Sequence, residues 1–105
     1  MAADLIVTAR VHTPGMQAPP RGIVFLLPVT RYDEVTVIRG SYSHAEILVA
    51  HDRADMHSAA FAPGTRQRLE LSRTLPPHAS LLNAFEAEVP RLGVFFCLDY
   101  QVMGP

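Results

Sequence analysis

His44, Glu46, His51, Asp52, Asp55 and His57 fall within fourteen residues of one another. Imidazole and carboxylate are the ligand types that hold zinc, copper or non-haem iron. On a strand, His44 and Glu46 point the same way, about 7 Å apart along the chain. Two such groups hold an ion only if further ligands close in from elsewhere in the fold. His51 has the opposite parity to His44 unless a bulge intervenes. The spacing matches no tight metal motif, such as two histidines four apart on a helix with a glutamate between them. His44, Glu46, His51 and His57 are therefore the candidate ligands of a divalent metal. A polar strand face followed by a histidine-rich surface loop accounts for the same residues without one, so no cofactor is expected.

Cys97 is the single cysteine. A nucleophilic role needs a nearby histidine and an electropositive setting that favours the thiolate. Its neighbours Phe96 and Leu98 point instead to a buried thiol that behaves as a small hydrophobe. A copper site of the Cys, Met and His type needs a histidine soon after Cys97, and residues 98–102 contain none. Asp99 sits between aromatic side chains in the sequence and would serve as a general base if desolvated. Arg66, Arg68, Arg73 and Arg91 could gather into an anion site, with Arg66 and Arg68 on one face if their segment is a strand. Tyr42 joins Arg66, Arg68 and Asp99 as a candidate binding residue. Glycines spaced to cradle phosphate and a glycine-flanked nucleophilic serine are both missing. Nucleotide-dependent and hydrolytic activities are disfavoured accordingly.

The elements that must position these groups are strands. Residues 4–13 alternate, with Leu5, Val7, Ala9 and Val11 on one face and Ile6 as the exception on the other. Residues 14–22 hold three prolines and two glycines and form a loop, partly stiffened as polyproline II. The apolar run 23–29 suits a strand buried on both faces, and residues 30–33 suit a polar turn. Residues 34–39 and 42–51 flank Gly40 and Ser41 as the two arms of a hairpin. A short strand is expected at 58–62, an alternating one at 66–73, and the strongest at 93–103. In that last strand Val94, Phe96, Leu98, Tyr100 and Val102 form the apolar face. Residues 80–89 read either as a short helix capped by Ser80 or as an extended arm.

The sum is an all-β chain, an antiparallel β-sandwich or small barrel of about seven short strands. One short helix near 80–88 is allowed, which would make the fold α+β. Nine prolines in 105 residues are poor material for long helices. The length suits one domain spanning 1–105. With one cysteine no intrachain disulfide can form, and the core must stabilise the fold alone. No apolar run approaches the roughly 20 residues of a membrane-spanning helix, and the first residues lack the basic start and apolar stretch of a secretory signal. A cytoplasmic setting, or a place within an assembly, is the expectation.

The net charge is −1, and all nine basic residues are arginine. A general nucleic-acid or membrane-surface binder needs a basic field, and none is present in the balance of charges. Charged residues make up 18 % and apolar residues 49 %, so a domain this small is rich in apolar surface relative to charge. Such surface commonly ends in an interface. The expected function is a non-catalytic, self-associating structural or protein-interaction module, with a homo-oligomer or a protein partner. The alternative is a small metal- or ligand-binding β domain, with possible enzymatic use of the His/Glu cluster. A carbohydrate-binding sandwich ranks behind both. Its stacking surfaces would be Tyr32, Tyr42 and Phe61, with no tryptophan available.

Overall fold

The computed structural model describes residues 3–15, 27–52, 54–74, 82–83 and 93–104. Strand β1 is Leu5–Thr13, β2 is Leu27–Arg39 and β3 is Ile47–Ala50. A single 3-10 turn follows at Ala59–Phe61, then β4 at Arg66–Ser72, β5 at Leu82–Asn83 and β6 at Phe95–Gly104. The order β1-β4-β6-β3-β2, with a further β1–β2 pairing, closes five strands into a barrel. The all-β expectation holds, as a barrel rather than a sandwich, with six strands among the described residues. Closure removes most of the open sheet edge that a small sheet otherwise exposes. The pairings are antiparallel except β3–β6 and β2–β5, which are parallel and span two residues each.

The alternation of β1 delivers its apolar face to the core. Leu5, Val7, Ala9 and Val11 are almost wholly buried, together with Tyr32, Ile47, Val49, Leu69, Leu71, Phe95 and Cys97. A smaller cluster of Ala54, Met56 and Phe61 lies beneath the 3-10 turn. Bending a sheet into so narrow a barrel requires bulges. The β1–β2 register slips at three places, one of them between Thr8 and Arg10. Glu34 lies in the extra length of β2 at that slip, with a left-handed φ of 49°.

Four local expectations change. Residues 30–33 continue β2 instead of turning, because Thr30 and Tyr32 point inward and their polar atoms find buried partners. The chain does turn at Gly40, whose φ is 97°, but the second arm starts only at Ile47, so residues 41–46 form a loop. The strand expected at 58–62 is the 3-10 turn. In β6, Glu70 faces Asp99 while Leu71 faces Cys97, which leaves Leu98 as an extra residue and reverses the side-chain parity. Phe95 and Cys97 therefore point into the core, and only Tyr100 and Val102 keep the side expected of them. Of residues 80–89 only 82–83 are described, as β5. The loop beyond Gly15 and the run 23–26 lie outside the described residues.

Candidate functional site

Two places bring polar side chains together in a way that strand propensity alone does not require. The first is inside the barrel. The Gln67 side-chain amide donates to the Ala60 carbonyl at 2.6 Å, which turns its Oε1 toward Tyr32. The Tyr32 hydroxyl spends its only proton on that oxygen, at 2.7 Å. Its 2.8 Å approach to His51 Nε2 must then be an acceptance, so His51 carries a proton on Nε2. The ring packs edge-on against Phe61 and Tyr100, at centroid distances of 4.9 and 5.6 Å. Burial among these groups pushes the His51 pKa down to about 3. The same burial raises that of Tyr32 well above its ordinary value. Neither group is poised to exchange protons near neutrality; the chain of hydrogen bonds is a structural strut joining β2, β4 and the residue that follows β3.

The second place is a groove at the barrel surface, lined by Ser41, Tyr42, Ser43, His44, Arg73 and Phe95, with a volume of about 280 Å³. The loop after Gly40 supplies the first four residues, Arg73 directly follows β4 and the start of β6 supplies Phe95. Tyr42 meets Phe95 edge-to-face at 5.6 Å and His44 at 5.5 Å. The Tyr42 hydroxyl donates to the Glu46 carbonyl, which pins the loop. Arg73 lies over the Phe95 ring at 5.0 Å and donates to the Ser41 carbonyl at 2.7 Å. Its backbone N–H is held by Asp4. Burial raises the Tyr42 pKa, and the Glu46 charge adds to it, so the phenol remains a neutral donor and stacking surface. The arrangement can hold a flat ring against Tyr42 or His44 while presenting guanidinium N–H groups to an anion.

Among the described residues no three His, Cys, Asp or Glu side chains gather into a metal-holding group. His44 lies in the groove and Glu46 is paired with Arg31. His51 is buried in the barrel. His57 is exposed, with its backbone N–H on Asp55. Arg66 and Arg68 share the outward face of β4, as expected of a strand, and are paired with Glu34 and Glu70 at 3.2 and 3.4 Å. Asp99 is exposed on β6 opposite Glu70. Arg91 lies outside the described residues. Of the three aromatics available for sugar stacking, Tyr32 and Phe61 are fully buried, and Tyr42 alone is accessible. Cys97 is buried, and desolvation pushes its thiol up to about 12.

The pairing of Arg73 with Phe95 has no sequence signal, because it depends on β4 and β6 ending at the same rim. Comparison of the chain with family models, with curated proteins and with solved structures finds no match.

Proposed function

We propose that this chain is a non-catalytic, self-associating interaction module, and that the far end of β6 is the surface on which a second copy docks. The observation that carries the reading is where apolar surface remains. Tyr100, Val102 and Met103 are 36 %, 48 % and 57 % exposed, and they are near neighbours on one strand end. Ile38, the other large exposed apolar residue among those described, stands apart on β2. Beyond Phe96, β6 is paired with β4 on one side only, and no backbone partner among the described residues meets its other edge.

An apolar strand end with an unpaired edge is a template for a strand of the same kind. Two copies of β6 laid antiparallel about a two-fold axis would satisfy each other's backbone and cover Val102 and Met103 at once, an isologous contact of the commonest type. The side chains with chemical potential support a non-catalytic role by what they already do. His51 is a buried neutral donor, Glu46 is held by Arg31, and Asp33 and Glu34 are held by Arg10. A cytoplasmic setting, or a place inside a homomeric assembly, suits a chain whose one thiol is buried and unbridged. No helix among the described residues is long and apolar enough to cross a membrane.

Sedimentation velocity over a concentration series up to about 100 µM tests the reading. The wild type should show a concentration-dependent oligomer. The double variant Val102→Asp, Met103→Glu should remain a monomer, with a melting temperature equal to that of the wild type at concentrations too low for association. A wild type that is monomeric throughout, or a variant that associates as before, overturns the proposal.

A further inference from the structure

We infer that the groove between the residue 41–46 loop, Arg73 and Phe95 is a binding site for one nucleotide of a single-stranded nucleic acid, the base stacking on Tyr42 or His44 and the phosphate meeting Arg73. Three features of the groove carry this. Its walls combine aromatic rings with hydroxyl groups, Ser41 and Ser43 beside Tyr42, His44 and Phe95. Its cation is fixed in place: the Arg73 guanidinium rests on the Phe95 ring and on the Ser41 carbonyl. No carboxylate is ion-paired to it among the described residues. A guanidinium held this way keeps N–H groups for a planar, bidentate anion contact at little entropic cost.

A stacking surface beside one oriented cation is the minimal recognition unit for a single strand, whose bases are free to leave their own stack. In a duplex the same faces are occupied. The phosphate-seeking arginine favours the oligonucleotide over a neutral sugar chain.

The net charge of −1 still argues against general electrostatic capture of nucleic acid. The site therefore predicts an unusual signature, in which stacking contributes more than charge. One phosphate contact corresponds to a slope of only about −0.7 in log affinity against log salt, far shallower than that of a basic groove.

The test is fluorescence anisotropy with labelled thymidine and uridine homopolymers of about 16 nucleotides, which separate DNA from RNA. A duplex of equal length and a neutral glucan serve as controls. Because His44 and Arg73 are exposed, His44→Ala and Arg73→Gln should fold normally, as checked by their melting temperatures. Single-strand binding at about 50 mM salt that is weakened roughly 5- to 100-fold by either substitution supports the site. Loss of nearly all salt dependence in Arg73→Gln supports it further. No binding to either homopolymer at about 100 µM protein overturns it. So does equal binding to the duplex, binding of the glucan instead, or binding that both variants retain.

Discussion

The buried histidine sets a pH dependence that can be worked out in advance. His51 faces Tyr32 from β2, Phe61 from the 3-10 turn and Tyr100 from β6, and Tyr32 in turn donates to Gln67 from β4, none of them charged at neutral pH. Its folded pKa is about 3 through burial, whereas an unfolded histidine titrates near 6.5. Between those values the unfolded chain binds a proton that the folded chain refuses. Stability is therefore fully present above about pH 6.5 and is lost as pH falls. At about pH 5 the folded protein has taken up almost no proton, and the loss is about 1.5 pH units' worth, or about 2 kcal/mol.

With a urea slope of about 1 to 2 kcal/mol per molar, the midpoint should fall by about 1 to 2 M between about pH 8 and about pH 5. Protein concentration must be held constant, because self-association also stabilises. His51→Gln can still donate to Tyr32 but cannot titrate. It should begin less stable at pH 8 and lose most of the pH slope. A wild-type midpoint that does not move across this range, or a His51→Gln variant that keeps the whole shift, refutes the assignment of a neutral, Nε2-protonated His51.

The remaining predictions rest on separate parts of the barrel. A Cβ on Gly40 would lie 2.6 Å from the Asp4 carbonyl oxygen, at a φ of 97°, whereas at Gly64 it would meet nothing. Gly40→Ala should therefore cost about 2 to 3 kcal/mol in chemical denaturation and Gly64→Ala about 1; equal costs would show that the close approach to Asp4 is unimportant. The Arg10 guanidinium, hydrogen-bonded to Asp33 at 2.8 Å through two nitrogens, holds that carboxyl below its usual range. Asp33→Asn should melt at a lower temperature than wild type at pH 7. That difference should close as pH drops through the carboxylate range, the direction required of a group whose folded pKa is depressed. With its thiol pushed up to about 12, Cys97 should react with a disulfide reagent only when the chain unfolds, so its labelling rate should follow the unfolding equilibrium. Rapid labelling of the folded protein would contradict its burial.

Much of the architecture could be read from residue order, and the failures share a physical cause. β1 and β4 were legible because each alternates along most of its length with one face buried, Ile6 and Ser72 being the exceptions. β2 was legible at its two ends, 27–29 and 34–39, but not across 30–33. Thr30 and Tyr32 look like turn residues by polarity, yet they are buried because Gly15, His51 and Gln67 supply hydrogen-bond partners. The apolar face of β6 was misjudged in its first half, since a bulge at Leu98 swaps the faces and leaves no mark in composition. His51 looked like part of a polar surface loop, its neighbour Asp52 being exposed, but its direction is set by β3, which turns the ring into the barrel. Tyr42 and His44 stood out as candidates by type alone. What joins them into a groove, Arg73 on Phe95, depends on the three-dimensional meeting of β4 and β6.

The central claim is that the chain works as an assembly of copies. Native mass spectrometry of untagged protein, purified without chelator, tests it most directly, because subunit number and bound mass are read together. The account predicts a multimer whose mass is a whole number of 11.6 kDa chains, with no metal mass added. A monomer carrying one metal per chain would contradict it and return His44, Glu46 and His57 to the front as ligands.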